Sequence, residues 1–442
     1  MMTLFAGSNW SVRSAKQQRG AVTLVVSMTL LFGMTLIAFF ANKNMIFEQK
    51  TSVNQMRSTK AFEAAEAGIE WATSMLNDPR YTNATCTTTG TNTRSFRSQY
   101  LPYSAASGFT PVSNAQPGCS MNSATGAPVL SCSCPAAGSN PSLSSTTDPT
   151  FTVKFEPVNA ATLPGGTANN ESVLVTAYGC TAADGRCVPG FTGSADAHQK
   201  ISVILKLRPA LRAVPAAAVT TGGSLQLTSA ASTVSNTDPD SNGILVNAGG
   251  GINSTAVTGC NGSFKDFANP VTLPGTPWQN SMVSNDASLS ALSNNPDAMF
   301  ESYFGTTLNQ FRADTSTKNL TSCGSVVNDF YTAFDQGYRS FYTACNFQTN
   351  NDLGSLANPV ILVTAAALQF NGGADIYGLI YGDQATWSEV GLGNGSINGA
   401  LVVRGNYCAN ANAEYNYNAD ALKNVRGTTG TLIRVPGSWK DF

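Results

Sequence analysis

The sequence predicts an α+β fold in which a long N-terminal helix packs on an antiparallel sheet, followed by a β-rich, β-solenoid-like C-terminal domain with a helical insertion. Three observations predict it. Residues 21–78 contain no proline and pass from a fully apolar run into an apolar stripe at three-four spacing. Three strand-like runs follow between Phe151 and Leu207. Beyond Pro215, short apolar runs recur between Gly and Asn corners. The boundaries read from these changes are 1–20 for a basic leader, 21–79 for the helix, 80–210 for a β head and 211–442 for the C-terminal domain, with an insertion over about 286–347.

The leader carries Arg13, Lys16 and Arg19, and no charge appears again until Lys43. About twenty apolar residues suffice to cross a bilayer, so residues 21–42 are expected to span it. The basic side stays cytoplasmic by the positive-inside rule. A secretory signal would place its cleavage site after the apolar core. Here the candidate site, Gly20-Ala21, lies before it, so cleavage would remove the leader and keep the helix. A continuous helix from Ala21 to Asp78 would be roughly 85 Å long, and Pro79 marks its stop. In its second half Phe62, Ala65, Ile69, Ala72 and Leu76 form one face for burial, with Glu63, Glu66 and Glu70 off it.

This leader resembles that of type IV pilins, in which a prepilin peptidase cuts after the glycine and N-methylates the new first residue, here Ala21. The resemblance continues through Gln55-Met56-Arg57-Ser58 and the stretch Ala61-Phe62-Glu63-Ala64-Ala65-Glu66-Ala67-Gly68, which is similar to the shared segment of PilX-type minor pilins. The ending Gly437 to Phe442, Gly-Ser-Trp-Lys-Asp-Phe, resembles that family's C-terminus. It implies an inner-membrane, single-pass precursor with its head in the periplasm, which then joins a pilus at the cell surface. Its implied partners are the prepilin peptidase, the major pilin, other minor pilins and a tip adhesin of the PilY type.

Two departures matter. Major pilins begin the mature chain with Phe; this one would begin with Ala21. They carry Glu at the fifth mature position, which falls on Val25. A carboxylate in an apolar core is costly unless paired. A subunit with no neighbour ahead of it gains nothing from that Glu, so Val25 fits a position at or near the filament tip. The resemblance thus implies a minor pilin that primes assembly and presents an adhesin. The alternatives are a K-type minor pseudopilin of a type II secretion system, which also lacks the Glu, and a membrane-anchored surface-binding module.

In the head, Phe151–Val158, Ser172–Tyr178 and Gln199–Leu207 read as strands of an antiparallel meander laid on the helix stripe. The chain has ten cysteines, six before Arg212 and four after it. An even count in an exported chain favours disulfides. Cys180 and Cys187 flank a turn after a strand and are expected to pair. Cys132 and Cys134 sit too close to bond each other without strain and are expected to bond outward, with Cys86 and Cys119 as candidates. Arg208 to Pro215 reads as a linker.

In the C-terminal domain, Val360–Val363, Ala367–Phe370, Ile376–Tyr381 and Ser396–Val403 are short runs of the kind that build a solenoid. Asp286 to Phe347 carries apolar residues at helical spacing and reads as a mostly helical insertion tied by Cys323 and Cys345.

Motifs for chemistry are sparse. A Ser-His-Asp set would have to use His198, the single histidine, which has no nucleophile motif near it. Cys-Ser-Cys at Cys132 lacks zinc-site spacing. Gly391-Leu-Gly-Asn-Gly395 lacks the lysine of a phosphate loop and reads as a solenoid corner. Asp238-Pro-Asp-Ser-Asn-Gly243 has oxygens at alternate positions but no downstream bidentate acid, so a polar turn is expected over a calcium site. No basic cluster outside the leader suggests nucleic acid. No enzyme activity, cofactor or metal is expected.

Overall fold

The computed structural model describes residues 19–88, 94–122, 129–139, 141–143, 148–158, 171–181, 187, 197–370, 373–389, 395–409 and 412–441. The chain divides into two units, Met1–Thr59 and Lys60–Phe442.

In the first unit the described residues are all helical and belong to α1, which spans Arg19–Asn77. This helix is long and apolar enough to cross a membrane. Its few hydroxyls are satisfied by the helix's own backbone: Ser27 donates to the Leu24 carbonyl, Thr29 to Val26 and Thr35 to Phe32. Such self-bonding removes the cost of a polar group in an apolar medium.

The second unit opens with the last turns of α1. A short helix α2 (Phe96–Tyr100) and a small ribbon of β1 (Tyr103–Ser104) and β2 (Gly108–Phe109) follow. The head strands are β3 (Gly118–Asn122), β4 (Val129–Ser133), β5 (Thr150–Pro157), β6 (Ser172–Cys180) and β7 (His198–Arg208). They pair antiparallel in the order β7-β6-β5-β3-β4. The helix stripe lies on this sheet as its spacing requires. Ala65, Ile69, Ala72 and Leu76 are fully buried among Phe151, Val153, Phe155, Val175, Ala177, Val203 and Leu205, and Phe62 is half-buried at the edge. Glu63, Glu66 and Glu70 face outward. Small residues let the two backbones approach: a Cβ at Gly68 would meet the Phe151 ring at 3.0 Å.

The solenoid begins with β8 (Val219–Thr221), β9 (Leu225–Leu227), β10 (Thr233–Ser235), β11 (Val246–Ala248) and β12 (Met282–Val283). Then come helices α3 (Ala287–Ser293), α4 (Pro296–Phe304) and α5 (Leu308–Ala313), β13 (Thr317–Leu320) and α6 (Val326–Asp335). The coils continue with β14 (Ser340–Thr343), β15 (Phe347–Thr349), β16 (Val360–Thr364), β17 (Leu368–Phe370) and β18 (Asp375–Gly382). Last are β19 (Thr386–Glu389), β20 (Ser396–Val403), β21 (Asn406–Ala409), β22 (Glu414–Tyr417) and α7 (Ala419–Thr428).

Among the described residues every solenoid strand pair is parallel. The main wall runs β12-β11-β8-β20-β18-β16-β14-β13, and β22 joins it through β20. One ladder reads Phe341, Leu362, Ile380, Leu401, Val219, Val246 and Met282 across successive strands. Trp387, Tyr407 and Leu225 stack in a second wall. The two walls close one apolar core. Parallel strands are buried on both faces, which is why these runs read as continuous rather than alternating.

Three sequence expectations change here. The segment 286–347 carries the expected helices, α3–α6, but it also contributes two strands to the wall. α3–α5 carry the chain from β12, at one end of the wall, to β13 at the other, and β13 and β14 are wall strands themselves. Helix starts are set locally: Asp286 caps α3, Asn295 caps α4 ahead of Pro296, and Thr307 with Gln310 forms a capping box on α5. Phe300 and Phe304 stack at 4.1 Å and meet Tyr381 edge-on, covering the outer face of the wall. Second, Arg208 to Pro215 is not a free linker: Arg208 ends β7, Leu211 is fully buried, and the Arg212 N–H donates to the Tyr303 carbonyl at 2.7 Å. Third, the C-terminal domain does not run to the end of the chain. Strands β23 (Thr431–Arg434) and β24 (Lys440–Asp441) return to the head and pair antiparallel with β7. The solenoid is therefore inserted between two neighbouring strands of the head sheet.

Candidate functional site

The strongest candidate is the N-terminal end of α1. Gly20 and Ala21 are part of its helical backbone. Val25 is 59% exposed, and so are large apolar side chains on every side from Val22 to Phe47. A helix that is apolar all round requires an apolar surrounding, lipid or other helices. The first charges, Lys43, Glu48 and Lys50, are exposed beyond it. Among the described residues of the first unit, none between Val22 and Asn42 is ionisable.

In the second unit, the returning strands lock α1 to the head. The Asn77 side chain donates to the Leu432 carbonyl at 3.0 Å and accepts from the Leu432 N–H at 2.7 Å. Glu70 pairs with Arg434. Ser438, from the family-like ending, accepts from the Ile204 N–H at 3.1 Å, and Trp439 packs on the head core. Phe442 lies outside the described residues. Sequence reading did not single out Asn77: an Asn before a helix stop has many uses, and its partner lies 355 positions away.

All ten cysteines are in disulfides. Cys180 bonds Cys187, and the turn between them, 182–186, lies outside the described residues. Cys86 bonds Cys134, and Cys119 bonds Cys132. In the solenoid Cys260 bonds Cys408 and Cys323 bonds Cys345.

His198 is exposed at the first position of β7. Asp238 caps a turn by accepting from the Ser241 N–H at 3.0 Å, and Asn242 is left-handed at φ 56°. Among the described residues no group of three His, Cys, Asp or Glu could hold a metal. Gly391 to Asn394 lie outside the described residues.

Fold and site together define a protein with one N-terminal helix fit for a membrane or a helical bundle, continued into a disulfide-bonded α+β head. Residues 19–70 match the PilX N-terminal family, so this part of the chain is similar to the N-terminus of PilX-type minor pilins. The match ends within α1, before the head strands and the solenoid. Among solved structures, the competence-associated pilin ComZ from Thermus thermophilus aligns over 87% of this chain and 97% of that one, at 11% identity and a TM-score of 0.25. No curated protein matches the chain.

Proposed function

We propose that this chain is a minor pilin of a bacterial type IV pilus, placed at or near the tip, where it primes assembly and presents an adhesin of the PilY type. The uncleaved precursor waits in the inner membrane with its head in the periplasm. Prepilin peptidase cuts between Gly20 and Ala21 and methylates Ala21. Residues 21–42 then exchange lipid for the helices of the major pilin and other minor pilins. The observation that carries the reading is Val25, an apolar residue at the fifth position of a PilX-type N-terminus. A tip subunit has no preceding amine for a carboxylate there to pair with. The solenoid, inserted in the head, supplies a large specialised surface.

The test is the mature N-terminus, read by mass spectrometry from cells with and without the peptidase. A peptidase-dependent start at N-methyl-Ala21 supports the pilin pathway. A retained leader, or a cut after the apolar run, would end it. Immunogold on sheared pili then separates tip from shaft: label along the whole length would overturn the tip position.

A further inference from the structure

A cleft of about 210 Å³ opens within the second unit, where the end of α1, the α2 region, the end of α7 and the β14 coil meet. Two arginines line it, Arg97 and Arg339, each only 9% exposed. Among the described residues neither makes an ion pair. Arg97 donates to the carbonyls of Gly430 at 2.9 Å and Gly427 at 3.1 Å, which occupies two of the five N–H donors a guanidinium carries. Arg339 donates to the carbonyls of Phe334 and Tyr338, to the Tyr81 hydroxyl and to Asn358 Oδ1, which occupies four of its five N–H donors, and it lies over the Phe334 ring at 4.0 Å. The one carboxylate on the cleft wall, Asp78, is held at 2.7 Å by Arg80. Asp335 acts on Arg339 through space only. The Ser340 hydroxyl also lines the cleft, is 1% exposed and has no hydrogen-bond partner among the described residues.

Two buried cations without an anion are an expensive arrangement. Burial pushes Arg97 down to about 10. The missing partner is an anion, and the Arg97 guanidinium, with three N–H groups left over from its two carbonyl bonds, matches a planar carboxylate in two-point fashion. We propose that this cleft is a binding site for a carboxylate group, held by the Arg97 guanidinium, with the Arg339 charge and the Ser340 hydroxyl on the same cleft lining in support. The space admits an acidic side chain or a small organic acid, and no folded domain. The carboxylate comes either from a free small acid or from an acidic side chain of another protein.

The test titrates the full chain, in non-ionic detergent, with two probes: succinate, and the blocked tripeptide acetyl-Ala-Glu-Ala-amide, whose only charge is its side chain. Sodium chloride at equal ionic strength and the Gln analogue of the peptide are the controls. Calorimetry and the melting temperature are read together, since a ligand of the folded state raises the latter. The expected result is saturable binding of at least one probe and of neither control. Succinate binding assigns a small acid; binding of the peptide alone assigns a partner's side chain; both support the site. Arg97→Lys is expected to weaken binding by about tenfold. Ala357→Phe, at the exposed rim, is expected to abolish it with the unliganded melting temperature unchanged. If Arg97→Lys does not fold, the rim variant decides alone. No saturable binding, or binding that Ala357→Phe leaves intact, would overturn the proposal and leave Arg97 as a clamp on the returning chain.

Discussion

A Cβ on Gly179 would stand 2.1 Å from the carbonyl oxygen of Ala61, so strand β6 and helix α1 touch backbone to backbone at this point. The obstacle is main chain on both sides, and no rotamer change relieves it. Gly179→Ala is therefore expected to push helix and strand apart and to destabilise the head by on the order of 3 kcal/mol, at the upper end for overpacking. Urea denaturation of the full chain in detergent checks this. Wild-type stability in that variant would show that the helix does not sit on the sheet as described.

The Asn77–Leu432 pair joins the end of α1 to the returning strand β23 by two hydrogen bonds. Asn77→Ala would leave the Leu432 N–H and C=O unpaired near the buried Leu432 side chain, at a cost of about 1–3 kcal/mol. Hydrogen exchange should show the loss first at residues 431–434. Unchanged protection there would refute the clamp.

The disulfides should differ in weight with the loop each closes. Cys180–Cys187 spans 7 positions and Cys260–Cys408 spans 148. In the chain-entropy account these are worth about 2 and about 5 kcal/mol. Replacing each pair by serine and comparing melting temperatures tests the order. A larger loss from the short loop would point to native-state effects instead.

Leu362 lies between Phe341 and Ile380 in the solenoid ladder and is fully buried. Leu362→Ala is expected to cost about 2–5 kcal/mol through the cavity it leaves. A neutral result would mean the stack can collapse around the gap, which the flanking wall strands argue against.

Alkaline pH should unfold the protein. Burial pushes the hydroxyls of Tyr303 and Tyr417 up to about 12, and those of Tyr100 and Tyr381 further. In the unfolded chain tyrosine ionises near 10, so above that pH the folded state holds more protons and stability falls as pH rises. Arg97 has the opposite sign: its folded value, about 10, lies below the unfolded 12.5, and it contributes increasing stability between those values. Four tyrosines against one such arginine, joined by Arg339 in the same direction, leave a net loss from about pH 10 upward. Tyrosinate absorbance should therefore rise cooperatively, together with loss of circular dichroism. Gradual ionisation without unfolding would contradict it.

Much of this protein was legible as sequence because the signals are local. An uncharged run between Arg19 and Lys43, a three-four stripe ending at Leu76 and β-branched runs each act through neighbours along the chain, and periodicity reports them directly. The family-like N-terminus is of the same kind. Tertiary structure alone decided the rest. The return of Thr431–Arg434 to β7, the crossover of α3–α5 along the wall and the placing of Arg97 and Arg339 on one cleft all join residues distant in sequence. Pairing, burial and charge compensation depend on distances in space, and neither residue type nor spacing records which distant backbone group will lie opposite.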